Sequence, residues 1–183
     1  MEKKEICIIL SVFFIIIFIY LYKNKFKKLN EVEKKNLKKG QMIMTDMLRI
    51  FDEICRKNNL KYWSTGGTLI GSIRNNGWIS HDADIDVGML EKDYLVLRNI
   101  VQKNLPNHYW FQDETTDSKY KCKIGKIRYL NAYYSDCDNK KSHNGLQLDI
   151  FVFTEKNNLL IPTHHDDGDI KNIERNMIFP LKE

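Results

Sequence analysis

Cysteine is scarce in this sequence. Of 183 residues only four are cysteine, and outside an apolar run near the N-terminus they are Cys55, Cys122 and Cys137. An odd and sparse set excludes a disulfide framework, and with His143 it makes no zinc-site spacing. No Asn-x-Ser/Thr acceptor occurs anywhere, so nothing marks the chain for N-glycosylation. Repeats and low-complexity tracts are absent as well, which leaves room for about one domain with a proper core. The folded part also lacks a surplus of positive charge. The whole chain is +5, but residues 1–40 carry ten lysines and four glutamates, so residues 41–183 come to −1. Nucleic acid is therefore not an expected partner.

What stands out first is the stretch "ICIILSVFFIIIFIYLY", residues 6–22, which holds no charge. It is at the short end of what spans a bilayer. No small-x-small cleavage site follows it, only "KNKFKK", so a transmembrane anchor is expected rather than a cleaved signal peptide. Residues 1–5 form a short tail before it and residues 23–40 a basic stalk or helical linker after it. Lys23, Lys25, Lys27 and Lys28 outweigh the offset lysines before the anchor. The positive-inside rule then puts the C-terminal part in the cytosol, with a secretory lumen as the alternative.

The remainder, residues 41–183, is expected to be one α+β domain, a small mixed sheet with flanking helices. Ile43, Met47, Ile50, Phe51 and Ile54 recur at helical spacing over 41–59. A short strand should end at Ser64 or Thr65, followed by a short helix after Gly66–Gly67 and a turn at Asn76–Gly77. A helix over 94–104, stopped before Pro106, and strands within 120–135 and 146–153 complete the pattern.

Residues 81–88, "HDADIDVG", place Asp82, Asp84 and Asp86 at every second position. In a strand all three would line one face. Neighbours about 7 Å apart would repel by about 2 kcal/mol at an effective dielectric near 20. Three readings compete. A calcium loop of EF-hand type needs Gly at position six and favours Glu at twelve; here Val87 and Asp93 fall there. A solvated acidic face is the plain alternative. Metal-dependent phosphoryl chemistry is the third, because Mg²⁺ favours carboxylate and phosphate oxygens. It requires glycines that let backbone approach phosphate and a further acid from a neighbouring strand. Gly66–Gly67 and Asp149, the latter within "LQLDIFVF", supply both. A lone acid in such a strand is costly to bury unless paired or metal-bound.

The run "YWSTGGTLIGSIRNNGWISHDADIDVGM", with "LRIFDEICRKNNLKYW" before it and Asp149-Ile150-Phe151 after it, resembles the LicD family, which includes the fukutin-like proteins. The likeness covers about residues 41–154. It implies a nucleotidyltransferase-like fold and transfer of a phosphorylated alcohol, of phosphocholine or ribitol phosphate type. The donor would be CDP-linked and the acceptor a glycan or glycolipid hydroxyl. It further implies Asp84 and Asp86 as ligands of Mg²⁺ or Mn²⁺, with Asp82 as an accessory ligand. Asp149 would complete the metal site and take up the acceptor proton. Gly66, Gly67 and Thr68 would admit the donor phosphates, and Arg74 would hold a phosphate oxygen or pair with the aspartates.

The chain departs from the family pattern at Ser80-His81, where Pro-Trp is usual; His81 is read as a local substitution. The tail "IERNMIFPLKE" resembles the start of the family's later section, so the domain is expected to be C-terminally shortened. Two other readings stay open: a non-catalytic nucleotide- or glycan-binding module on this fold, and a nucleotidyltransferase that uses an NTP. His164, His165, Asp166, Asp167 and Asp169 suggest a solvated loop. Lys123, Lys126 and Arg128 alternate, and would face either solvent or a nucleotide phosphate.

Overall fold

The computed structural model describes residues 29–120, 122, 124–132, 144–156 and 159–163. The anchor segment 6–22, the tail 1–5, most of the first half of the stalk, Lys123, Cys137, His143, the 164–169 loop and the C-terminal tail lie outside them. The chain divides into two compact units, residues 1–36 and 37–183. The described part of the first is Leu29, Asn30 and the opening of helix α1 (Glu31–Lys57). Among the described residues no helix is long and apolar enough to cross a membrane.

Helix α1 starts at Glu31, not near 41. Residues 31–40 carry little apolar signal, so periodicity cannot see them; a capping box can. Asn30 Oδ1 accepts the Glu33 N–H at 2.9 Å, and Glu33 Oε2 accepts the Asn30 N–H at 2.8 Å. Glu31 and Glu33 in the first turn and Arg56 and Lys57 in the last suit the helix dipole. The stripe Met44, Met47, Phe51, Ile54 and Cys55 is buried. Burial pushes the Cys55 thiol up to about 12, so this cysteine is inert core.

There follow β1 (Tyr62–Ser64), α2 (Gly66–Asn75), β2 (Ile85–Leu90), α3 (Glu91–Asn104), β3 (Tyr109–Gln112), β4 (Gly125–Tyr129), β5 (Leu146–Lys156) and β6 (Leu159–Pro162). Among the described residues, six strands form one sheet, ordered β1-β2-β5-β4-β3, with β6 also paired to β5. β2 and β5 run parallel; every other pairing is antiparallel. The α+β expectation and the mixed sheet both hold.

Alternation along the central strands sorts the two faces. Ile85, Val87 and Met89 of β2, Leu148, Ile150 and Val152 of β5, Ile127 of β4 and Phe111 of β3 join one core. That core also contains the α1 stripe and Tyr94, Leu97 and Val101 of α3. Each fully buried side chain of this size stabilises the fold by about 1.5–3 kcal/mol before entropy is counted. The opposite face of the same strands carries Asp86, Asp149, Gln147, Lys126 and Arg128. Since those residues alternate with core positions, their place is fixed by the core's register.

Candidate active site

The aspartates do not share a strand. β2 begins only at Ile85, and Asp82 and Asp84 sit in the loop that leads into it. The even spacing therefore has a different meaning from the one in-register strand gives. The loop is pinned by Gln41 of α1, whose Nε2 donates to Asp82 O at 2.8 Å and to Ile79 O at 3.2 Å. Helix α2 ends on Asn76 in the left-handed region (φ 53°), which turns the chain back toward the sheet. Gly71 allows that return, because a Cβ there would lie 3.2 Å from Ile79 N and closer still to Gly77 O.

Asp86 and Asp149 are direct partners across the parallel β2–β5 pair, and Lys126 is the antiparallel partner of Asp149 in β4. One carboxylate oxygen from each of Asp84, Asp86 and Asp149 lies within 4.8 Å of the others. Asp82 is not part of this group. Its carboxylate instead covers Gly67, where a Cβ would lie 2.5 Å from Asp82 Oδ2. Gly66 adopts φ +50°, and a Cβ there would collide with the Asp86 carboxylate. The Gly67 N–H donates to Asp86 Oδ2 at 3.2 Å, and Thr68 Oγ1 accepts the Asp86 N–H at 2.9 Å. The glycine pair thus admits aspartates against the first turn of α2, where backbone N–H groups favour negative charge.

Burial, then the charges of Asp84 and Asp149, push the Asp86 carboxyl up to about 7, against the Gly67 hydrogen bond. Burial also raises Asp149, with Lys126 opposing it. Asp82 is raised by burial and by Asp84.

Asp149 is 6% exposed. Lys126 Nζ donates to its Oδ2 at 2.6 Å, whereas its Oδ1 is buried with no hydrogen-bond partner. An orphaned carboxylate oxygen beside two more carboxylates fits a hard divalent cation held by oxygen ligands. Beside the cluster lies a mostly apolar cleft of about 240 Å³, lined in part by Leu48, Gly67, Thr68, Trp78 and Asp82.

Residues 59–183 match the family described as LicD/FKTN/FKRP, nucleotidyltransferase domain. The chain belongs to the LicD family. Lipopolysaccharide cholinephosphotransferase LicD of Haemophilus influenzae is 29% identical over 123 residues, 67% of this chain and 46% of that protein. An uncharacterised protein of Rickettsia typhi is 27% identical over 145 residues, 79% of this chain and 40% of the other. One from Rickettsia prowazekii is 35% identical over 63 residues, 34% of this chain and 24% of the other. The chain therefore spans less than half the length of the curated relatives it matches.

Within this LicD-family chain the structure brings together Asp84, Asp86 and Asp149, with Gly66, Gly67, Thr68 and Asp82 against them. It does not bring Arg74 to them. Arg74 lies in the last turn of α2, at the end away from Gly66, exposed, with Nε donating to Asn75 Oδ1 at 3.0 Å. His81 is an exposed turn residue.

Two residues do not face solvent, contrary to one of the two alternatives for them. Lys126 is 5% exposed and Arg128 1%. Arg128 Nε donates to Gln112 Oε1 at 2.7 Å, and its Nη1 donates to Gln147 Oε1 at 2.6 Å and Gly145 O at 3.0 Å. Gln147 Nε2 in turn reaches Asp84 Oδ2 at 3.4 Å and Asp149 Oδ2 at 3.5 Å. Gln147 carried no signal beyond its position two residues before Asp149, which places both on one face of a strand.

Proposed function

We propose that this chain is a divalent-metal-dependent phosphotransferase of LicD type. It moves a phosphorylated alcohol from a CDP-linked donor to a glycan or glycolipid hydroxyl. The observation that carries the reading is the convergence of Asp84, Asp86 and Asp149, the last of which keeps a buried Oδ1 without a hydrogen-bond partner. The domain family and the cholinephosphotransferase relative support the same reaction class.

Asp84, Asp86 and Asp149 would hold Mg²⁺ or Mn²⁺, and Asp82 stands by as an outer acid. The bound ion supplies charge neutralisation at the donor's pyrophosphate. The first turn of α2, Gly66 to Thr68, offers backbone close to that position. The apolar cleft beside Asp82 gives room for the donor's alcohol portion. Catalysis is then chiefly positioning and electrostatic stabilisation. Residues 6–22 are proposed to anchor the chain in a membrane, which would keep it near a glycolipid acceptor.

The test is thermal unfolding of the full chain with Mg²⁺ and CDP-choline, CDP-ribitol, CTP or ATP, beside Asp84→Ala. Asp84 lies in a loop, so its removal leaves the core intact. A ligand at a hundredfold excess over Kd adds about 2.7 kcal/mol of stability. The expected result is a metal-dependent rise with a CDP-linked donor, absent in Asp84→Ala, together with CMP release. A shift without CMP release would instead indicate a binding module. Pyrophosphate release from an NTP would indicate the other nucleotidyltransferase chemistry.

A further inference from the structure

Lys126 is a buried cation in the same row of the sheet as two of the three clustered acids. Asp86, Asp149 and Lys126 are consecutive partners across β2, β5 and β4. We infer that Lys126 is a resident cation of this centre, fixed on one oxygen of Asp149, so that the centre takes one divalent ion per chain and not two. The inference rests on the metal-binding reading above.

Three observations carry it. First, the two oxygens of Asp149 are unequal. Oδ2 holds the Lys126 ammonium at 2.6 Å, while Oδ1 has no hydrogen-bond partner. Both side chains are over nine-tenths buried, at 7% and 8% exposure. Second, the ammonium is held from behind. It also donates to Gln147 Oε1 at 3.2 Å, and that oxygen is clasped by Arg128. Because Arg128 is locked on Gln112 and the Gly145 carbonyl, Gln147 must turn its amide N–H₂ toward Asp84 and Asp149. A frame of this kind does not let Lys126 swing aside for a second ion. Third, the charges balance. Without donor, the three carboxylates are neutralised by one ammonium and one divalent cation; a second divalent ion would leave an excess of positive charge at this partly buried centre.

Lys126 is therefore a positioning and charge-balancing residue, and its role is read from metal stoichiometry rather than from turnover. The experiment is a titration of the full chain with Mn²⁺, followed by the electron paramagnetic resonance of the free ion. Wild type is expected to bind one site-specific Mn²⁺, lost in Asp84→Ala. Lys126→Met removes the charge at similar length and is expected to take up two, whereas Lys126→Arg stays at one. Two ions on the wild-type chain, or still one on a folded Lys126→Met chain, overturn the role of Lys126. If Lys126→Met does not fold, the wild-type count decides by itself. Absence of any site-specific Mn²⁺ on wild type overturns the metal reading and this inference with it.

Discussion

At the scale of single residues, the site depends on atoms that are missing as much as on atoms present. Gly66 has φ +50° and no room for a Cβ beside the Asp86 carboxylate. Gly66→Ala combines a left-handed backbone with a collision, which should cost about 1–3 kcal/mol. Urea denaturation without divalent ions measures that loss. The displaced Asp86 should also weaken Mn²⁺ binding by about tenfold or more, the scale seen when a metal ligand loses its support. An unchanged denaturation midpoint would mean that α2 shifts freely away from β2, contrary to the Thr68 and Gly67 hydrogen bonds.

At the scale of elements, the joints are made by short-range polar chemistry. β2 passes straight into α3, with Leu90 extended and Glu91 already helical. The turn after β3 is organised by Asp113, whose Oδ1 accepts from Thr115 N–H and Oγ1–H and from Thr116 N–H, at 2.6–3.1 Å. Its Oδ2 faces Arg98 Nε at 2.8 Å and accepts from Tyr94 O–H at 3.3 Å, tying the turn to α3. Burial alone would raise this carboxyl, but the threonine hydrogen bonds and the Arg98 charge outweigh it and hold it below its ordinary 3.8. A lowered carboxyl contributes stability that is present above the unfolded value and is lost as pH falls through the lower folded one. Asp113→Asn should therefore be less stable than wild type by about 2 kcal/mol near neutrality. The gap should narrow as urea midpoints are taken from pH 6 down through pH 3. A gap independent of pH would show that the carboxylate charge at Asp113 is not what fastens the turn.

At the scale of the whole molecule, residues 37–183 form a compact unit of their own. Among the described residues the first buried one is Gly40 of α1. A chain beginning at Asn30 keeps the capping box of α1 and should unfold within about 0.5 kcal/mol of the full chain, the range of changes away from packed features. If residues 6–22 are the anchor, the same shortened chain should be lost from the membrane fraction that holds the full one. Retention of the shortened chain on membranes would move the anchoring function elsewhere.

The sequence by itself determined the composition of the site and the class of the fold. Glycine pair, spaced aspartates and a lone acid in an apolar strand are local patterns, each carrying its chemical requirement on its face. The α1 stripe and the β5 alternation were legible for the same reason: periodicity records which side is dry. The N-terminal extension of α1 was not, since a charged helix held by its cap leaves no apolar period. Tertiary structure alone decided that Asp84 reaches the cluster from a loop, that the glycines receive carboxylates, and that Arg74 ends at the far end of α2. It also decided the fate of Lys126 and Arg128. Alternation along β4 said only that they share a face, and a face is polar or buried according to what lies across it. Strand pairing set Asp149 beside Lys126 and Gln147 beside Arg128. Register is a long-range property, which no window along the chain contains.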